Sequence, residues 1–411
     1  MAGASHRRIS FLYHIIIGTE IFDCDISAYR CLSGGVTVYL EIFQTASAEN
    51  GLGVTLTGIC DTFSSLIWDV EYFSPGKFEV YVSANADTIA LFRRGNIVGR
   101  SDDKQHYGII EGVYLRTDAE NGDYLTISGR FLMCLLSRRI ITPTLSFTAY
   151  RTYGEIVQTA VQKNCITPWT AAERGIPSLK IGAVSGDCWE IKSVLQVSYE
   201  NLMDWIYTVC RNIGGTANIR LREVDTGKYA MFLELSQGTD RSIMQRENMP
   251  VVFSDAYDNL LTYIYNSDYS EYRNYAYIYG EGEGIRRQSA ACYSGEKTPT
   301  GLSRYEIYVN ASDLSQTIRN DDGSETVVSE SEYKEMLRER GTENLVAPVL
   351  SSEATIVTES HQFVYGKDYQ VGDFVTMQHT GYGIQIPRVR LVGMIESFDS
   401  EGYGLTPVVQ E

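Results

Sequence analysis

The stretch "YQVGDFVTMQHTGYGIQIPRVRLVGMIESFDSEGYGLTPVV", residues 369–409, echoes "RGNIVGRSDDKQHYGIIEGVYLRTDAENGDYLTISG", residues 94–129 of the same chain. Gly95-Asn96-Ile97-Val98 aligns with Gly372-Asp373-Phe374-Val375, Tyr107-Gly108-Ile109 with Tyr382-Gly383-Ile384, and Gly112-Val113 with Gly393-Met394. After small gaps Asp118 falls opposite Asp399, Glu120 opposite Glu401, Gly122 opposite Gly402 and Tyr124 opposite Tyr403. Each copy reads as a strand entered through a glycine turn, a long apolar strand pair, and a hairpin turn of acidic residues plus glycine. Turn chemistry is a small menu, so either a true duplication or two ordinary antiparallel hairpins give this pattern. A duplication predicts two similar β-barrels in one chain. Three such chains about an axis make a ring of six barrels with exact threefold symmetry only, which can meet a sixfold tube on one side and a threefold object on the other.

The rest of the chain reads as mainly β with α+β insertions. "GVTVYLEIF", "LGVTLTGI", "KFEVYVSA", "YGIIEGVYLRT" and "YLTISGRF" are β-branched and aromatic runs between residues 35 and 131, broken by turn signals such as "SPG" at 74–76. Next, Thr152 three residues before Glu155 forms a capping-box pattern, with Ile156, Val157, Ala160 and Val161 on one helical face. A second helix runs through Leu202, Trp205, Ile206 and Val209, capped by Ser198 or Asn201 and stopped at Gly214-Gly215, and a hairpin follows with its turn at Asp225-Thr226-Gly227. Ser329 with Glu332 predicts another capping box, before a charged helix stopped by Gly341. The expected organisation is an N-terminal extension of open role over 1–50, a first tube-type barrel over 51–146, an α+β domain over 147–247, a second tube-type barrel over 248–300 and 346–411, and a helical insertion over 301–345.

Composition narrows the function. The chain has 411 residues, room for two or three domains, and its 44% hydrophobic and 21% charged content is that of a folded protein. Tyr at 29 and Gly at 36, against 9 Pro, suit strands and turns with broad semi-polar faces. A net charge of −17 argues against a grip on nucleic acid by basic stripes, and suits either plain solubility or a wall past which DNA slides without sticking. Eight cysteines at irregular intervals, none in C-x-x-C spacing, read as reduced buried thiols; Cys24 and Cys31 are the one pair that could close a short loop. "SHRRISFLYHIIIGTEIF" at 5–22 is interrupted by Tyr13 and His14 and fits neither a signal peptide nor a membrane span.

Chemistry is scarce. His6, His14, His106, His361 and His379 include no two at metal-ligand spacing, "GEGEG" at 280–284 lacks the lysine and helix of a phosphate loop, and no G-x-S-x-G elbow occurs. Carboxylate pairs such as Asp118 with Glu120, or Asp321 with Asp322, read as solvated turns. No catalytic, cofactor or metal residue is expected. In "NYAYIYG", Tyr275, Tyr277 and Tyr279 share one strand face, either a stacking platform for sugars or bases or a packing surface between sheets or subunits.

A series of segments in fixed order resembles a known family: "ICDTFSSLIWDVEYFSPGKFEVYVSA" at 59–84, "GNIVGR" at 95–100, "YGIIEGVYLRTDAENGDYLTISGR" at 107–130, "LLSRRII" at 135–141, "SYENLMDWIY" at 198–207, "GTDRS" at 238–242, "VVFSDAYDNLL" at 251–261, "RYEIYVNASDL" at 304–314 and "YQVGDFVTM" at 369–377. The chain is similar over residues 51–411 to the hub proteins at the tail tips of long-tailed phages and their prophages. The resemblance implies a non-enzymatic virion protein, a homotrimer with two tube-type barrels per chain, adapting a hexameric tail tube to a trimeric tip. Its implied partners are a tail-tube or distal tail ring, a tail fibre, spike or lysin, the tape-measure protein, and genomic DNA passing through the lumen, with no cofactor. It also favours duplication, which makes Gly95, Gly112, Gly122, Tyr124, Gly372, Gly393, Gly402 and Tyr403 repeated structural positions. The same hub role in a phage-derived injection particle or gene transfer agent, or a carbohydrate-binding surface protein, are the other readings.

Overall fold

Alternation of apolar and polar residues decides the strands, and the strands fall into two sets with one wiring. The computed structural model describes residues 32–33, 36–45, 53–119, 122–284, 287–319, 325–356, 362–400 and 402–410. In the first set, Ser65–Glu71, Lys77–Ser83, Ile97–Arg100, Tyr107–Arg116 and Tyr124–Phe131 follow one another in the chain. In the sheet they stand in the order third, fourth, fifth, second, first, every pair antiparallel. In the second set, Leu260–Asp268, Val349–Ile356, Phe374–His379, Ile384–Asp399 and Gly402–Gln410 take the same chain order and the same sheet order, again all antiparallel.

Each unit has its own interior. Leu66, Trp68 and Val70 of "SLIWDVE" are buried with Phe78, Val80, Ile127 and Phe131, while Ile67 between them faces out. The second interior holds Val375, Met377, Val389, Leu391, Met394 and Val409. Each such side chain withdrawn from water contributes roughly 1.5–3 kcal/mol, which fixes the register because a one-residue slip would expose the whole set.

Among the described residues the strands do not close into two barrels. Among the described residues Ser65–Glu71 does not return to its own unit on its second edge; it pairs antiparallel with residues 393–398 of Ile384–Asp399 in the other unit. The two units are thus one continuous sheet, extended at its start by Leu40–Gln44, which sits between Val54–Cys60 and Ile97–Arg100. Part of the 1–50 extension is therefore an inner strand.

The α+β region follows the predicted pattern closely. Thr152 and Glu155 cap Tyr153–Val161 reciprocally, Asn201 rather than Ser198 caps Leu202–Ile213, and Gly214 ends that helix at φ +74°. Thr216–Asp225 and Lys228–Ser236 form the hairpin, flanked in parallel by Leu179–Val184. The insertion is larger than predicted. Tyr275–Tyr279 and Ser289–Tyr293, expected in the second barrel, stand instead in a separate three-stranded sheet, where Tyr275–Tyr279 is the middle strand, antiparallel to Ser289–Tyr293 and parallel to Glu306–Asn310. The helix Glu330–Glu343, begun by the Ser329/Glu332 capping box, backs this sheet. Gly341 does not stop that helix: it lies inside it, where a Cβ would come within 2.5 Å of Ile278, so its role is close approach of helix to sheet.

Candidate functional site

The seam between the two units is where chain-distant residues converge. Glu71, Val70, Asp69, Trp68, Ile67 and Leu66 face Gly393, Met394, Ile395, Glu396, Ser397 and Phe398 in order, and the Tyr72 N–H donates to the Val392 carbonyl at 2.8 Å. At the seam's inner face Arg100 reaches Glu396 through Nη1–Oε1 at 2.9 Å and Nη2–Oε2 at 3.0 Å. Both are 3% exposed, so this is a desolvated, charge-assisted pair. The Arg100 Nε also donates to Asp102 at 2.9 Å, and the guanidinium lies over the rings of Phe398 and Trp68. Burial pushes the Glu396 carboxyl up, while Arg100 and the Tyr403 hydroxyl, which donates to its Oε2 at 2.7 Å, pull it back. Beside them Trp68 Nε1 donates to Asp103 at 2.9 Å and His106 Nδ1 stands 2.8 Å from the same oxygen. Burial works to raise Asp103, but His106, Arg100 and the Gln105 N–H outweigh it and hold the carboxyl well below the usual carboxylate range.

The α+β domain docks on the same seam. The Tyr72 hydroxyl donates to the Gly214 carbonyl at 3.1 Å and accepts from the Gly238 N–H, and Arg390 lies over the Tyr72 and Phe374 rings. A polar cavity of about 610 Å³, lined among others by Arg100, Asp103, His106, Arg220, Glu396 and Tyr403, lies where the three bodies meet.

Most of the glycines that carry the echo occupy matching places. Gly95 and Gly372 both precede the third strand of their unit with φ of +90° and +102°. The Gly95 N–H donates to Ile110 and the Ile110 N–H to Asn96, both at 2.9 Å; the Gly372 N–H donates to Leu391 at 2.7 Å and the Leu391 N–H to Asp373 at 2.8 Å. Gly112 and Gly393 each follow a one-residue bulge, opposite Ser128 and Val408, respectively. Gly122 and Gly402 sit at the hairpin end with φ of +83° and +122°. The tyrosines do not match. Tyr124 stands four residues before Ser128, Tyr403 five before Val408, so their rings point to opposite faces. Tyr124 stacks on Tyr81, whereas Tyr403 packs on Phe398 and bonds Glu396. Tyr107 is also out of register with Tyr382: it pairs with Gly99 in a strand, while Tyr382 lies in the turn before Ile384–Asp399.

A second echo escaped the sequence reading although the letters were there. The rows Gly112–Ser128–Glu79–Ile67 and Gly393–Val408–Glu353–Ile264 cross the two sheets identically, which places "IWDVEY" at 67–72 and "IYNSDY" at 264–269 in equivalent positions. Arg100 and Glu396 were missed because nothing local links residues so far apart. The signal available was one carboxylate between Met394 and Phe398 on an apolar face.

Among the described residues no cluster of His, Cys, Asp and Glu could hold a metal. Burial pushes the thiols of Cys134 and Cys188 up to about 11 and that of Cys165 to about 12, the opposite of an activated nucleophile. The tyrosine strand presents Tyr277 and Tyr279 at 38% and 37% exposure, with Arg304 bonded to the Tyr277 hydroxyl, while Ala276 and Ile278 face the helix. Cys24, Cys31, His6, His14, His361, Glu120, Glu401, Asp321 and Asp322 lie outside the described residues.

With this geometry in place, likeness to known proteins is informative. No curated protein matches the chain. Among solved structures, the tail protein from Neisseria meningitidis superposes with a TM-score of 0.54 at 13% identity over 91% of this chain and 96% of that one. The 43 kDa tail protein of prophage MuSo2 from Shewanella oneidensis gives 0.50 at 12% identity over 90% and 98%. At these identities the likeness is one of fold. A family model described as "Siphovirus ReqiPepy6 Gp37-like protein" matches residues 50–409, nearly the whole chain, and the protein therefore belongs to that family of siphovirus tail proteins.

Proposed function

We propose that this tail protein is the trimeric hub of the tail tip, a structural part of the virion in which three chains set six like units around a channel. The two units are duplicates of one tube-type element, and the ring adapts a hexameric tail tube to a threefold tip. The observation that carries the reading is the identical chain order and sheet order of the two five-stranded sets. Units that share wiring and glycine geometry present similar outlines at 60° steps, while the chain itself repeats only every 120°. The net charge of −17 fits a channel wall that DNA passes without sticking. On this reading the partners are a tail-tube or distal tail ring above, a fibre, spike or lysin-bearing protein below, and the tape-measure protein within. The chain acts through shape rather than catalysis. Interfaces between copies bury more than about 2,000 Å², as in obligate assemblies. Mass photometry of the full chain, alone and with its tail-tube neighbour, tests it: trimers support the hub, and monomers under both conditions overturn it.

A carbohydrate-binding role has one observation of its own, the uncovered Tyr277, Tyr279 and Tyr308. Binding of host cell-wall polysaccharide that is lost in Tyr277→Ala would favour it over the hub.

A further inference from the structure

We infer that copies of this chain join through a second seam, in which the far half of strand Tyr107–Arg116 of one copy adds antiparallel to the edge strand Leu260–Asp268 of the next. The inference rests on the ring proposed above and names the edges that close it.

The argument is one of equivalence. Within the chain, the first strand of unit one, Ser65–Glu71, gives its outer edge to the fourth strand of unit two, Ile384–Asp399, beyond that strand's bulge. Within the two units, two edges have no neighbour among the described residues, and they are the counterparts of those two. The first strand of unit two, Leu260–Asp268, pairs among the described residues with Val349–Ile356 alone. The fourth strand of unit one pairs with Ile97–Arg100 only as far as Ile109, and beyond its bulge at Glu111 the strand leaves that same edge without a neighbour among the described residues. Transferring the register of the internal seam sets Val113 opposite Ser267, Tyr114 opposite Asn266 and Arg116 opposite Ile264. The internal bond from the Tyr72 N–H to Val392 becomes one from the Tyr269 N–H to the Glu111 carbonyl.

Burial supports this pairing. Met394 and Glu396 are 0% and 3% exposed at the internal seam; their counterparts Val113 and Leu115 are 43% and 47% exposed in the single chain. Tyr72 is 2% exposed, its counterpart Tyr269 46%. A flat edge with apolar side chains is a template for another strand. Here the counterpart strand is already known, because the chain carries it. A contact between two different edges of the same chain runs head to tail and closes if its rotation divides the circle.

Directly opposite residues in an antiparallel pair lie about 4.5–5.5 Å apart at Cα, within disulfide reach, and adjacent pairs alternate between wide and narrow. Two double variants of the full chain, Val113→Cys with Ser267→Cys and Tyr114→Cys with Asn266→Cys, therefore cover both spacings. A third, Tyr114→Cys with Ser270→Cys, is out of register. After mild oxidation, non-reducing gels should show linked trimers for at least one in-register variant and only background for the out-of-register variant and wild type. Mass photometry is read on the same samples. Trimers by mass with no link in either in-register variant overturn the seam and leave the hub standing. Monomers by mass with no link, both alone and with the tail-tube neighbour added, overturn both.

Discussion

The two five-stranded units share a backbone and differ in almost every side chain. Gly95 and Gly372 make the same pair of main-chain bonds, yet the residue after each has been put to separate use: Asn96 Nδ2 donates to Leu91 within its own unit at 2.9 Å, while Asp373 accepts from the Thr239 N–H at 2.7 Å and from Arg241, tying unit two to the α+β domain. A Cβ at Gly95 would meet nothing within 4 Å, whereas one at Gly372 would lie 2.2 Å from the Tyr72 ring. The interiors diverge likewise, Trp68, Phe78 and Phe131 in one against Met377, Met394 and Leu391 in the other. The comparison teaches that bulges and positive-φ glycines hold the register, and that the packing around them was free to specialise.

Breaking the seam should have the largest effect. Glu396→Ala leaves the buried Arg100 guanidinium with Asp102 as its remaining carboxylate and the Tyr403 hydroxyl without its acceptor, and a loss of about 3 kcal/mol in urea unfolding is expected. Arg100→Met with Glu396→Leu should recover most of it, since a buried ion pair gains little over a well-packed apolar one. Next come the paired glycines. Gly95→Ala should cost about 1–2 kcal/mol for its left-handed backbone alone, and Gly372→Ala clearly more because the Tyr72 ring must move. Equal costs would mean the second unit is not the one locked to its neighbours.

Acid sharpens the contrast more gently. Asp103 of unit one is held below its unfolded value, so the folded state binds its proton less readily than the unfolded chain. The stability it gives is present above pH of about 4 and falls below it by up to about 1.4 kcal/mol per pH unit. Asp103→Asn should flatten the acid limb of a stability profile relative to wild type. The smallest difference is between the two tyrosines. Tyr403→Phe should lose about 1–2 kcal/mol with its bond to buried Glu396, and Tyr124→Phe under about 0.5 kcal/mol. Similar losses would argue that the rings are equivalent after all.

Much of this fold was legible in the sequence where a residue type has one backbone use. Gly95, Gly112 and Gly122 sit at turns and a bulge, as do Gly372, Gly393 and Gly402, because such places admit few substitutes. Tyr124 and Tyr403 misled because tyrosine suits either face of a strand, so a one-residue offset leaves no trace in the letters. Residues 275–293 read as a continuation of the second barrel because a strand's own residues do not say which strand lies beside it. The open seam was hidden for the same reason: closure depends on whether Ser65–Glu71 turns to its own unit or to Ile384–Asp399, and both choices bury Leu66, Trp68 and Val70. Glu396 was the clearest missed clue, a carboxylate in register with Met394 and Phe398.

End-on electron microscopy of the purified chain with its tail-tube neighbour tests the duplication and the ring together. The account predicts a ring of six similar lobes around an open centre, with exact symmetry of three. A ring whose lobes number three, or a solitary particle with no central opening, would contradict it.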